Sequence, residues 1–193
     1  MQKKVKRTIR VTKYVLYKET SFDYIESLWS FIGAFIGIGS IALIQSFYFS
    51  ELENIFLIGS FGASCVLIYG AVQSPLAQPR NFIGGHVLSA IVGVSIHSFM
   101  PNIIWVTAPL AVSVSIILMQ YTKTLHPPGG ATALIAIIGT EKIKALGYLY
   151  VLSPVLSGTL ILLLVALVTN NMTKNRIYPT NKKFTRIIEK IKG

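Results

Sequence analysis

Residues 125–139 read LHPPGGATALIAIIG. A histidine, two prolines and two glycines stand directly before a short apolar run. From Gly130 to Thr140 that run offers about 11 residues, or roughly 16 Å at 1.5 Å per residue. The hydrocarbon core of a bilayer is about 30 Å thick. Whether this segment crosses decides the parity of the whole topology, and so the fold.

The surrounding chain has the composition of a membrane protein. Hydrophobic residues make up 52% of the 193 and charged residues 13%, and mean hydropathy is +0.61. A soluble domain carries about 25% charge. The single cysteine, Cys65, lies in an apolar run, so no internal disulfide can form. No cleavable signal pattern is expected before the first apolar run near Leu28. The net charge of +11 is concentrated at the two ends. Lys3, Lys4, Lys6, Arg7, Arg10, Lys13 and Lys18 precede the first span, and Lys174, Arg176, Lys182, Lys183, Arg186, Lys190 and Lys192 follow the last. This distribution fits the positive-inside rule and anionic lipid headgroups rather than nucleic acid.

Five stretches have the length and apolarity of spans: 28–48, with Gln45 its only strongly polar side chain, then 55–73, 83–100, 103–121 and 145–169. They define a transmembrane domain over 28–170, flanked by a basic segment at 1–27 and a basic segment at 171–193. In the latter, Phe184, Ile187, Ile188 and Ile191 have the spacing of an amphipathic helix on the inner leaflet. Basic ends place both termini in the cytoplasm, at a plasma (inner) membrane, and an even number of crossings follows. The short segment then counts as the sixth; a re-entrant segment would leave the C-terminal tail outside. The expected fold is an all-α polytopic transmembrane helix bundle of about six segments, one of them a short broken helix.

Non-helical backbone is tolerated at membrane depth only where protein buries it or it lines a cavity. Pro127 and Pro128 should keep the chain extended, and Gly129 and Gly130 should turn it into a helix that starts within the bilayer. Residues 75–93, PLAQPRNFIGGHVLSAIVG, repeat the device, with Gly84-Gly85 aligned to Gly129-Gly130. Spans two and three therefore read as a weak duplicate of spans four and five, and facing repeats with broken helices are common in transporters. Gly33 and Gly37 in span one, and Gly59, Gly62, Ala63 and Ser64 in span two, read as close-packing positions. Pro154, Ser157 and Gly158 read as a kink in the last span.

All seven acidic residues lie outside these spans: Glu19, Asp23, Glu26, Glu51, Glu53, Glu141 and Glu189. Paired carboxylates for hydrolysis are absent from the membrane region, three scattered histidines do not make a metal site, and no cofactor is called for. What remains suits an anion. Helix N-termini offer partial positive charge and unpaired amides. Two such ends, at the two glycine pairs, are expected to face one cavity ringed by Gln78, Arg80, Asn81, His86, Lys123 and His126. His97, near the far end of its span, reads as structural.

LHPPGGATAL, together with GSFGASCVLIYGAVQSPLAQPRNFIGGH, resembles the HPP family of membrane proteins, named for the motif that is His126-Pro127-Pro128 here. The resemblance runs from about Leu28 to Thr169. The family is usually described with four transmembrane helices, two fewer than the count above. Plant plastid and cyanobacterial members are implicated in nitrite transport, which implies transport of a small inorganic anion here, with nitrite the leading candidate. One chain has few helices to enclose a path, so a homo-oligomer is expected. Channel and carrier both remain open. The rival from another class is a membrane scaffold or sensor subunit docking a cytoplasmic partner. An enzyme using His126 as a base needs a nucleophile, for which Ser74, Thr124 and Thr132 are generic candidates, and no enzymatic activity is expected.

Overall fold

The computed structural model describes residues 23–48 and 55–180. The amphipathic pattern at 184–191, the basic N-terminal run and the Glu51–Glu53 turn lie outside them. Among the described residues the regular structure is all helical. Asp23 opens α1 (Tyr24–Tyr48) by accepting hydrogen bonds from the amides of Ile25 and Glu26 at 3.0 and 3.1 Å, a side-chain cap at a helix start. α2 (Gly59–Cys65) runs on through a π-helical turn (Val66–Gly70). A 3₁₀ turn (Pro75–Ala77) leads into α3 (Pro79–Phe99), followed by α4 (Ile104–Thr122), α5 (Pro127–Ile138) and the short α6 (Glu141–Ala145). A second π-helical turn (Val151–Leu156) enters α7 (Ser157–Thr169).

Four helical stretches are long and apolar enough to cross a membrane: Tyr24–Tyr48, Pro79–Phe99, Ile104–Thr122 and Val151–Thr169. Gly59–Gly70 and Pro127–Ile138 are apolar but shorter, about 18 Å each at helical rise. The stretch 55–73 reads as a full span in the sequence; the structure makes it a second short helix. Its first residues are not helical because the Phe56 amide is taken by the Gln45 side chain, at 2.7 Å. Gln45 is buried, so a polar side chain near the end of α1 supports irregular backbone that lipid could not.

The ends of the short helix α2 show how the bundle closes. The Ile68 carbonyl accepts from Asn170 Nδ2 at 2.7 Å, and the Tyr69 carbonyl accepts from Ser30 Oγ at 2.7 Å and from Arg176 at 3.2 Å. Arg176 also forms a largely buried ion pair with Glu26. Tyr178 donates to the Ala77 carbonyl at 2.8 Å, and burial pushes its phenol above the usual range, so it stays a donor. Residues 24–30, 68–78 and 170–180 therefore gather at one end of the bundle. The two described chain ends share a side, as an even number of traverses requires.

Packing at the α1 seam is close, as the GxxxG pattern implies. A Cβ on Gly33 would lie 2.6 Å from the Tyr69 ring, and one on Gly37 would lie 2.5 Å from its hydroxyl. That hydroxyl donates to the Leu162 carbonyl of α7 at 2.9 Å. Phe31, Phe35, Phe47, Trp105 and Tyr121 stay exposed on the outside, as lipid-facing aromatic side chains can. Ser153 departs from helical geometry at φ −140°, ψ 121°, which is the kink before Ser157 and Gly158.

Candidate functional site

Among the described residues α3 and α5 share the most extensive helix contact, and Gly85, Gly93 and Gly129 make its closest points. A Cβ on Gly85 would lie 2.5 Å from His126 Cβ and 2.9 Å from the Thr124 carbonyl oxygen. A Cβ on Gly129 would lie 2.9 Å from the Gly85 carbonyl oxygen and 2.9 Å from Ser89 Oγ. Farther along, Gly93 meets the Ala133 carbonyl in the same way, at 2.6 Å. Only hydrogen at these positions allows the two backbones to touch.

This corrects the expected placement of the motifs. Gly84 and Gly85 do not open a helix: α3 starts at Pro79, and Gly85 is its seventh residue. Nor do Pro127 and Pro128 stay extended, since they form the first turn of α5, with Gly129 third. Proline suits a first turn because its missing N–H has no partner to lose there. Only His126, at φ −141°, ψ 106°, is held extended before the prolines. Because the glycine pairs sit at different depths in their helices, aligning them misaligns the helix starts of the two units. Gly85 and Gly129 are packed against each other rather than around a wet pocket. α5 begins inside the bundle: His126 lies level with Gly85, about 9 Å along α3 from its start.

The loop before α5 is pinned there. Asn81 Nδ2 donates to the Leu125 carbonyl at 2.8 Å, and exposed Arg80 donates to the Thr122 carbonyl at 2.8 Å. Lys123, exposed, ends α4 in a left-handed conformation at φ 58°. Gln78 Nε2 donates to the carbonyls of Val72 and Ser74, both at 3.0 Å, and its Oε1 accepts from the Thr180 amide at 2.9 Å. His97 is in the last turn of α3, at the far end from these residues.

His86 and His126 are brought together and fully buried. Their ring centroids are 4.9 Å apart, with the Phe82 ring edge-on to both at 5.4 and 5.3 Å. Ser64 of α2 lies between them: its Oγ is 2.6 Å from His86 Nε2 and 3.0 Å from His126 Nε2. His86 Nδ1 is 2.6 Å from Thr132 Oγ1 of α5, and His126 Nδ1 is 2.8 Å from the Leu76 carbonyl.

The direction of this chain follows from one group. The Leu76 carbonyl can only accept, so His126 carries its proton on Nδ1 and presents a bare Nε2. Among the described residues no charged side chain hydrogen-bonds to either ring, and an unpaired buried charge is costly, so both rings are neutral at rest. Ser64 then donates to His126 Nε2. The Ser60 carbonyl is also 3.0 Å from Ser64 Oγ, but a helical carbonyl has its own backbone donor, whereas a bare imidazole nitrogen left without one carries a desolvation cost. His86 Nε2–H in turn donates to Ser64 Oγ, and Thr132 donates to His86 Nδ1 in preference to the Pro128 carbonyl at 3.4 Å. Four donors thus run one way, from Thr132 through His86, Ser64 and His126 to Leu76.

Two members of this chain, and Arg176 beside Glu26, carry no clear sequence signal. Ser64 stands among small residues and reads as packing; Thr132 reads as a generic hydroxyl; Arg176 sits in a basic tail and reads as a topology marker. The available clue for Ser64 and Thr132 is a hydroxyl one helical turn from another polar or glycine position inside an apolar run. At the loop end of the chain, a groove of about 400 Å³ is lined by Asp23, Glu26, Gln73, Ser74 and Arg176 among others.

A family model described as "HPP, transmembrane region" matches residues 19–179. Two transmembrane proteins of Dictyostelium discoideum are each 48% identical to the chain over 160 residues, which is 81% of this chain and 51% and 56% of theirs. The chain spans about half the length of these curated relatives. No solved structure matches it.

Proposed function

The chain belongs to the HPP transmembrane family, and on that premise we propose that it moves a small inorganic anion, nitrite foremost, across the membrane. The observation that carries this reading is the buried chain of hydroxyl and imidazole groups where two short helices cross. Polar groups inside a membrane are costly and mark substrate pathways. A small anion is recognised by neutral donors of this kind, without a buried carboxylate to repel it. Arg80 and Lys123, exposed at the loop end, supply fixed positive charge at the mouth. Gln78, Asn81 and the pairs Gly84-Gly85 and Gly129-Gly130 shape that mouth, and Pro127 and Pro128 set where α5 begins. His86 and His126 form the inner contact. On this reading the protein is a transporter rather than an enzyme. It lies in the plasma membrane with its basic ends cytoplasmic against anionic headgroups, assembled as a homo-oligomer.

One observation favours a second reading. Both imidazoles are fully buried and every ring nitrogen is engaged, as in a rigid scaffold whose loops dock a cytoplasmic partner. Uptake into proteoliposomes separates the two. Nitrite, nitrate, formate and chloride are offered to wild type, His126→Ala and Arg80→Ala. Transport of one of these anions by wild type, reduced in both variants, supports the transporter. Wild-type liposomes no faster than empty ones for all four anions would favour the scaffold, and transport indifferent to both changes would remove the site.

A further inference from the structure

We propose that Thr132, His86, Ser64 and His126 form a proton relay between the middle of the membrane and the loop at residues 74–78, and that a proton travels with the anion. The coupling rests on the transport reading above; the relay rests on geometry. Each link is a hydrogen bond of 2.6 to 3.0 Å between groups that can both give and take a proton. All four residues are buried, so bulk water does not short-circuit the chain. Thr132 is the sixth residue of α5, about 7.5 Å farther into the bundle than the start of that helix. Beyond it the α3–α5 seam is apolar, with Val92, Ala133, Ala136 and Ile137 buried.

The transfer balances as follows. A hydrated proton arriving at mid-membrane binds Thr132 Oγ1, whose own proton passes to His86 Nδ1. The His86 Nε2 proton passes to Ser64 Oγ, and the Ser64 proton passes to His126 Nε2. No heavy atom moves, and the excess charge now resides on His126 as an imidazolium. Loss of its Nδ1 proton to water at the loop end leaves the chain reversed, with a bare Nδ1 facing the Leu76 carbonyl. Two acceptors facing each other are unfavourable, which disfavours the reversed chain. Because hopping back would return the proton to Thr132, net transfer requires each ring to turn out of line and exchange its proton with water, losing one nitrogen's proton and gaining the other's, before the next proton enters. The charged and titratable groups nearest this end are Tyr178, bonded to the Ala77 carbonyl, Arg80 on the adjoining helix start and Lys123 on the adjoining loop, and Asp23, Glu26 and Arg176 in the groove.

The full-length protein in liposomes, with a trapped pH dye and a nitrite assay run together, tests this. Rates in empty liposomes are subtracted. Under an inward nitrite gradient, wild type should acidify the interior in step with nitrite uptake. Thr132→Val, which keeps the shape and removes the hydroxyl, should remove most of the acidification per nitrite taken up, because a methyl group can neither accept nor donate the proton. Thr132→Ser should restore it, and Ser64→Ala, a second break, should match Thr132→Val. Nitrite uptake without acidification in wild type overturns the relay and leaves transport standing. Acidification without nitrite uptake supports the relay and overturns nitrite as the substrate. A ratio equal in wild type, Thr132→Val and Ser64→Ala overturns the relay, and no flux of either species overturns both.

Discussion

His86, in the third turn of α3, and His126, the residue that caps the start of α5, are 40 residues apart in sequence and meet through one hydroxyl: Ser64 Oγ lies 2.6 Å from Nε2 of the first and 3.0 Å from Nε2 of the second. Two helices too short to cross a membrane and one long enough to do so supply these groups. The meeting depends on α3 and α5 approaching at Gly85 and Gly129. The polar centre and the close crossing are therefore one feature, and changes in either are expected to disturb both.

Gly85→Ala should lower stability by about 1–3 kcal/mol, the usual cost of overpacking, because its Cβ falls 2.5 Å from His126 Cβ and 2.9 Å from a backbone carbonyl. Gly130→Ala is the contrast. Its nearest atom would be Val112 Cγ1 at 3.7 Å, and alanine is the better helix former, so stability should hold or rise. Thermal unfolding of both variants in detergent checks the difference. Equal melting temperatures would show that the crossing is looser than described.

Arg176→Ala should cost about 3–5 kcal/mol, because it strands the Glu26 carboxylate in a largely buried site. It also releases the carbonyl of Tyr69 at the end of α2. Arg176→Lys should recover little, since an ammonium lacks the fork that reaches Glu26, Ser30 and Tyr69 together. Glu26→Gln combined with Arg176→Gln, which removes both charges, should be more stable than Arg176→Ala. Denaturant unfolding followed by intrinsic fluorescence ranks the three.

Asn81→Ala should cost about 1 kcal/mol, the net worth of its bond to the Leu125 carbonyl. The freed loop should be cut faster by trypsin at Lys123. Arg80→Ala should affect stability less, because Arg80 is exposed. Its effect should instead fall on anion uptake, as a higher KM with kcat little changed. A kcat effect of Arg80→Ala without any change in KM would argue against a role in attracting the anion.

Four of the five full-length spans were legible because a membrane imposes length and apolarity, and Gln45, the only strongly polar side chain of the first, was visible inside it. What it does was not, since its partner is the backbone of Phe56, outside any motif. The HPP motif lies at the buried crossing of α3 and α5. The prolines, however, form the first turn of α5 rather than an extended lead, because two successive prolines are compatible with a helix start whenever tertiary contacts hold the preceding residue extended. Ser64 and Thr132 were hidden for a different reason. A hydroxyl in an apolar helix can always bond its own backbone, so its sequence does not reveal whether a histidine from another helix claims it. Arg176 was hidden by company, as one cation in a basic tail.

The directed hydrogen-bond chain underlies both proposals, and the tautomers of its two histidines test it most directly. Nitrogen-15 spectra of imidazole-labelled protein in nanodiscs at neutral pH should show His126 protonated on Nδ1 and His86 on Nε2, with the His86 signal altered in Thr132→Val and both signals altered in Ser64→Ala. Both rings protonated on the same nitrogen, or spectra unchanged by Ser64→Ala, would contradict the account.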